Sequence, residues 1–262
     1  MQYITSKENS LIKNVKKLKE KKHRVKEGLF LIEGFRFIEE AIKSSYNVKY
    51  IFIDESSPSE LYDKYIKKYN LNDSTYMVSK NIFNAIASTE TPQGSVAVIE
   101  DKKLPVVDCE GFYVLVDKVQ DPGNLGTIIR TAHASGSLGI IMTKGTVDIY
   151  NEKTLRSTMG SIFNIPIIED KDLSFVNELR NKGFKVITSS LDTENNFYDV
   201  DLSGKVIISV GNEGNGISEE IYNISDEKVK IPMPGGAESL NVSVASAIMM
   251  YEVVRQNDIK VK

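Results

Sequence analysis

Three runs with a buried-strand pattern each lead straight into a loop of small and polar residues, and no other feature of this chain limits its fold so narrowly. The runs are residues 114–117, 207–210 and 229–231. The loops are Asp121-Pro122-Gly123-Asn124-Leu125-Gly126, Gly211-Asn212-Glu213-Gly214-Asn215-Gly216 and residues 232–241. The first and third open into helical patterns. Strand, small-residue loop, helix is how α/β proteins hold a ligand at the carboxyl ends of a sheet. Three such loops in one half of a 262-residue chain predict one composite site there.

The remaining sequence alternates in the same manner. Residues 10–22 place Leu11, Val15 and Leu18 at spacings of four and three, which predicts a helix. Strands are expected at 29–32, 48–53, 75–78 and 96–99, with helices at 34–43, 59–69 and 79–87. Residues 100–110, with Asp101-Lys102-Lys103-Leu104-Pro105, are charged and proline-broken, as linkers tend to be. The expected division is a domain at 1–103 and a second at 104–262. In the second, strands are expected at 112–117, 138–142, 185–189, 207–210 and 229–231. Helices are expected between them at 124–135, 151–160, 173–181, 218–224 and 242–256. That pattern implies a mainly parallel sheet covered on both faces. The last helix carries Val242, Val244, Ala245, Ala247, Ile248, Met249, Met250, Val253 and Val254. A helix apolar nearly all round is buried by its own chain or by a partner, and a homodimer is the expectation.

Composition narrows the chemistry. The single cysteine, Cys109, excludes an intramolecular disulfide. With His23 and His133 as the only imidazoles, zinc would need mismatched ligands, and no metal is expected. No apolar run approaches a membrane span, and residues 1–7 lack the apolar core of a secretory signal, so a cytoplasmic protein is expected. Net charge is −3, which alone argues against nucleic acid, but the distribution argues for it. Lys7, Lys13, Lys16, Lys17, Lys19, Lys21, Lys22, Arg24 and Lys26 are opposed only by Glu8 and Glu20. Lys16, Lys17, Lys21, Lys22 and Arg24 are the candidate phosphate contacts; a solvated amphipathic helix is the plain alternative.

Each loop alone is ambiguous. Asn124 can cap a helix, and Arg130 follows it at about 120° around the axis, where a guanidinium can grip a phosphate. Glu213 between glycines can bind a cation or fix an arginine. The Gly211–Gly216 loop is neither a P-loop nor a dinucleotide fingerprint. Ser239 and Asn241 are helix-cap types that would also suit an active-site wall.

Taken in order, the motifs are more specific. Asn124-x-Gly126 with Arg130, then Gly211-x-Glu213-Gly214, then Ile231-Pro232-Met233 with Ser239-Leu240-Asn241-Val242-Ser243, resemble the SpoU (TrmH-type) RNA 2′-O-ribose methyltransferases of the SPOUT superfamily. Residues 7–34 resemble the small RNA-substrate-binding domain that precedes the catalytic domain in many members. The resemblance implies an N-terminal α/β RNA-binding domain and a C-terminal parallel-sheet α/β domain with a deep trefoil knot. It implies S-adenosyl-L-methionine as cofactor, held at Gly211, Ile231 and Leu240, and a homodimer formed through the knotted domain. Catalytic roles would fall to Arg130, Asn124, Glu213, Ser239 and Asn241. Arg130 would be either the general base or the group that holds phosphate and hydroxyl in register. The implied reaction is methylation of a ribose 2′-hydroxyl, with ribosomal RNA the expected substrate. Transfer RNA, and a non-catalytic RNA-binding protein on the same fold, are the alternatives.

Overall fold

The computed structural model describes residues 2–89 and 91–257, and the chain forms two compact units, Met1–Lys102 and Lys103–Lys262. In the first, β1 (Gln2–Ile4), β2 (Leu29–Glu33), β3 (Val48–Asp54), β4 (Thr75–Val78) and β5 (Ser95–Glu100) lie in the order β1-β4-β3-β5-β2. The first three in that order are parallel, while β5 runs antiparallel to both β3 and β2. Helices α1 (Ser10–Lys17), α2 (Lys21–Glu27), α3 (Phe35–Lys43), α4 (Ser59–Tyr65) and α5 (Lys80–Ile86) connect them. The pleat turns Tyr50 and Phe52 to one face, where Val96, Val98, Ile12, Val15 and Phe83 join them. Ile51 and Ile53 are buried on the opposite face.

The single helix expected over 10–22 is two helices, a correction with a physical cause. Leu18 turns inward and is buried, and its amide closes a tight bond to the Val15 carbonyl. The carbonyls of Leu18 and Lys19 accept from the Arg24 guanidinium at 2.9 and 2.8 Å. With donors supplied from outside, α1 can stop and the chain can turn into α2. Strand β1 and, in the second unit, β8 are three residues each and have no counterpart in the sequence reading, because so short a run carries no readable period.

The second unit is a six-stranded, wholly parallel sheet ordered β11-β9-β10-β6-β7-β8. Its strands are β6 (Gly111–Val116), β7 (Gly139–Met142), β8 (Ile167–Glu169), β9 (Lys185–Ser189), β10 (Lys205–Val210) and β11 (Glu227–Val229). Phe112, Val114 and Val116 face α6 (Pro122–Ala134) and α10 (Val242–Gln256). Tyr113 and Leu115 face α8 (Ser174–Asn181) and α9 (Glu219–Ile224). Burial on both faces explains why β6 reads as continuous apolar sequence. Helix α7 (Glu152–Thr158) packs on α6 so closely that a Cβ on Gly126 would lie 2.5 Å from the Thr154 carbonyl oxygen.

Two expectations need adjustment here. The strand expected at 229–231 ends at Val229, because Lys230 pairs with Asn195 and Phe197 and Ile231 is released into the following loop. Helix α10 is only half-covered: Val242, Met249, Met250 and Val253 are buried, whereas Val244 and Tyr251 are exposed.

Candidate active site

A cleft of 380 Å³ opens at the carboxyl ends of β9, β10 and β11. Gly211, Glu213, Ile231, Ser239, Leu240 and Asn241 all line it. Parallel strands end here together, so three loops far apart in sequence converge. The end of β9, with Ser190 and Leu191, and Tyr222 of α9 add a wall that sequence reasoning missed. The Tyr222 hydroxyl and Ser190 Oγ are hydrogen-bonded at 3.2 Å.

Gly211 has a steric reason to be glycine. A Cβ there would overlap the carbonyl of Gly216, the residue whose oxygen accepts from the Asn212 amide at 2.8 Å. The loop therefore folds back on itself and leaves backbone, not side chains, at the cleft wall. Its base is held by Asp117, wholly buried at the end of β6, which accepts from Thr143 Oγ1 at 2.8 Å and from the Ser218 amide at 2.7 Å. Lys118 follows in the left-handed region, and its carbonyl accepts from Asn212 Nδ2 at 2.9 Å. Asp117 and Asn212 thus tie the first loop to the second. Neither was a sequence candidate; a polar residue closing an apolar strand was the only available signal for Asp117.

A chain of side-chain hydrogen bonds links all three loops. Glu213 Oε2 accepts from the Gln120 amide, and Oε1 from the Asp121 amide, each at 3.1 Å. Asn124 Nδ2 donates to Glu213 Oε1 at 3.0 Å, while Asn124 Oδ1 accepts from Asn241 Nδ2 at 3.0 Å. Asn241 Oδ1 in turn caps α10, accepting from the Ser243 amide at 2.9 Å. Burial pushes the Glu213 carboxyl up, but the Asn124 amide and the backbone donors outweigh it and hold it below its ordinary value. It is an anion at neutral pH.

Two expectations about these residues are corrected. Asn124 does not cap α6; Asp121 does, accepting from the Asn124 amide at 2.8 Å, with Pro122 at the first helical turn. That frees the Asn124 side chain to bridge the loops. Glu213 does not hold an arginine among the described residues: its partners are the Gln120 and Asp121 backbone amides and the Asn124 side-chain amide.

Arg130 stands apart from this chain. It is exposed on α6, does not line the cleft, and its guanidinium makes no hydrogen bond or ion pair among the described residues. Ser239 lines the cleft and is likewise without a hydrogen bond among them. In the first unit Lys16, Lys17, Lys21 and Lys22 are exposed, Lys22 pairing with Glu20 at 2.7 Å. Arg24 is engaged with Leu18 and Lys19.

The cleft suits a medium-sized organic cofactor. Its volume lies within the ~300–1,000 Å³ of small-molecule sites. Leu240 and Ile231 offer apolar flanks, and the loop around Gly211 offers backbone polar groups.

The comparisons with known proteins agree with this geometry. Residues 111–251 match the SpoU rRNA Methylase family, and residues 9–97 match the MRM3-like substrate binding domain. The chain is 40% identical over 257 residues to the 23S rRNA (guanosine(2553)-2′-O)-methyltransferase RlmP of Bacillus subtilis, covering 97% of this chain and 99% of that one. It is 29% identical over 244 residues to a 23S rRNA (uridine(2479)-2′-O)-methyltransferase of Streptomyces viridochromogenes, covering 89% and 85%. An AdoMet-bound rRNA methyltransferase from Sinorhizobium meliloti superposes with a TM-score of 0.85 at 30% identity, covering 99% of both chains. With more than half the chain inside the family match and a cleft of the right size at the second and third motif loops, the chain belongs to the SpoU rRNA methylase family and is an RNA methyltransferase that uses S-adenosylmethionine.

Proposed function

We propose that this chain methylates the 2′-hydroxyl of one ribose in 23S ribosomal RNA. The observation that carries the reading is the Glu213–Asn124–Asn241 chain of hydrogen bonds at the rim of the cleft. It fixes three loops in one arrangement without using either the Arg130 guanidinium or the Ser239 hydroxyl, leaving both for substrate. The names of the RlmP and Streptomyces relatives support the ribose and the 23S RNA.

When bound, the cofactor supplies a sulfonium methyl for attack in line with its carbon–sulfur bond. Gly211, Ile231 and Leu240 hold it, the first through backbone. Ser239 orients the attacking hydroxyl, and Arg130 holds the adjacent phosphate. Alignment of this kind can lower a barrier by ~7–11 kcal/mol in favourable cases. Deprotonation by Arg130 is the less economical role, since a guanidinium cation has no lone pair to accept a proton. The hydroxyl proton passes to solvent as the oxygen–methyl bond forms and the methyl–sulfur bond breaks. Arg130→Ala should abolish methyl transfer and leave cofactor affinity, read by calorimetry, near that of wild type. Retained turnover would remove Arg130 from the reaction. Parallel reactions with unmodified 23S and transfer RNA decide the substrate.

Three further features belong to the same reading. The small first unit grips RNA through Lys16, Lys17, Lys21 and Lys22, which are exposed on consecutive helices. The chain acts as a cytoplasmic homodimer through α10, where Val244 and Tyr251 are exposed one face apart from the buried residues. The segment after β11 threads through a trefoil knot. What supports threading is that β11 lies beyond β9 at one sheet edge, whereas α10 packs against α6 and β10, so the chain must pass the Gly211–Gly216 loop to reach it.

A further inference from the structure

The first unit contains a second cavity, of 270 Å³, well away in sequence from the cleft. Its floor is apolar: Val15, Leu18 and Val98 are buried core residues, and Leu11, Leu29 and Tyr50 are partly exposed beside them. Its mouth is basic. Lys17, Lys26 and Lys49 line it, with His23, against one carboxylate, Glu27. The Lys26 and Lys49 ammonium groups make no hydrogen bond or ion pair among the described residues, and both residues are exposed. Asn14 supplies an amide, able to donate and accept, at the same wall.

An apolar floor beneath three lysines, faced by one carboxylate and in no ion pair among the described residues, matches one ligand chemistry closely: a flat, largely apolar ring attached to an anionic chain. We propose that this cavity takes a single unpaired nucleobase of the substrate RNA, with Tyr50 as its aromatic contact and Lys26 and Lys49 on the flanking phosphates. The inference rests on the methyltransferase reading and deepens it by naming an RNA-recognition subsite. Proteins read RNA mainly through unstacked bases laid on aromatic side chains, with phosphate contacts fixing register. An apolar peptide would leave the cations unanswered, and an inorganic anion would not use the floor.

The placement explains what the lysine run alone could not. Of Lys16, Lys17, Lys21 and Lys22, only Lys17 lines the cavity. Lys49 and Tyr50 reach it from β3, next to α1 in space but more than thirty residues on in sequence. The Tyr50 hydroxyl makes no hydrogen bond among the described residues; its ring lies edge-on to Tyr76, with centroids 6.1 Å apart. Tyr50→Phe should therefore be silent.

The test uses the full chain and the 23S RNA fragment that wild type methylates. Tyr50→Ala and the double variant Lys26→Glu/Lys49→Glu should each weaken fragment binding roughly 10-fold or more, raising KM for RNA while kcat and S-adenosylmethionine affinity hold. Tyr50→Phe should bind like wild type, which separates lost stacking from misfolding. Abasic substitutions along the fragment should reveal one position whose removal costs as much as Tyr50→Ala, and the two effects should not add. Wild-type affinity in both variants, or full additivity at every abasic position, overturns the subsite and leaves the methyltransferase reading standing. Failure of wild type to bind or methylate any 23S fragment overturns that reading itself and the subsite with it.

Discussion

Asn124 donates to Glu213 and accepts from Asn241, so only a side chain with both polarities can stand between them. Asn124→Ala breaks both links, each worth about 0.5–1.5 kcal/mol, and should reduce methyl transfer at least 10-fold while the protein stays folded. Asn124→Asp should be worse despite its similar shape. It sets a carboxylate oxygen where Nδ2 now lies 3.0 Å from Glu213 Oε1, and two anions repel at that distance. Equal activity of the two variants would refute this account of the residue. Glu213 adds a pH signature. Its carboxyl is held below its ordinary value in the folded chain, so its contribution to stability is present at neutral pH and is lost as pH falls from that ordinary value through the lowered one. The melting-temperature difference between wild type and Glu213→Gln should therefore shrink from pH 7 towards pH 4. Much of this was legible in the motifs, which named Asn124, Glu213 and Asn241. The partners were not, because each bond joins residues about ninety or more positions apart.

Helices α1 and α2 show where local pattern misleads. The spacing of Leu11, Val15 and Leu18 is helical throughout, yet the chain breaks after Lys17 because Arg24 satisfies the carbonyls that follow. No residue near the break announces this. Arg24 is accordingly a structural residue: Arg24→Ala should lower stability by roughly 1–3 kcal/mol, as expected for removing hydrogen bonds from a charged donor. Charge reversal of the exposed Lys16 or Lys21 should leave the melting temperature nearly unchanged. Thermal melts of the three variants compare these directly. Long elements with a clear period, such as α10 and β9, coincide with their expected bounds. Three-residue strands at sheet edges carry too few positions to show one, and β11 lies two residues earlier than expected because Lys230 pairs with Asn195 and Phe197 instead.

At the scale of the whole molecule, the two units divide the work that net charge obscures. A chain of net charge −3 carries its cations where the first unit offers them, so RNA affinity should fall steeply with salt. Reversing Lys16, Lys17, Lys21 and Lys22 together should flatten that salt slope by roughly 0.7–0.9 for each RNA phosphate that these side chains no longer neutralise. An unchanged slope would take these lysines out of RNA binding. The homodimer makes a separate claim: sedimentation should find two chains at micromolar concentration, and Val244→Glu with Tyr251→Glu on the exposed face of α10 should leave one. The central claim is chemical, and one measurement addresses it. Wild-type protein is incubated with unmodified 23S RNA and methyl-labelled S-adenosylmethionine, and the RNA is then digested to nucleosides and mapped by alkaline cleavage. The label should reside in a single 2′-O-methylated nucleoside, at a position that has become resistant to alkali. Label on a base, or no transfer to RNA at all, would contradict the account.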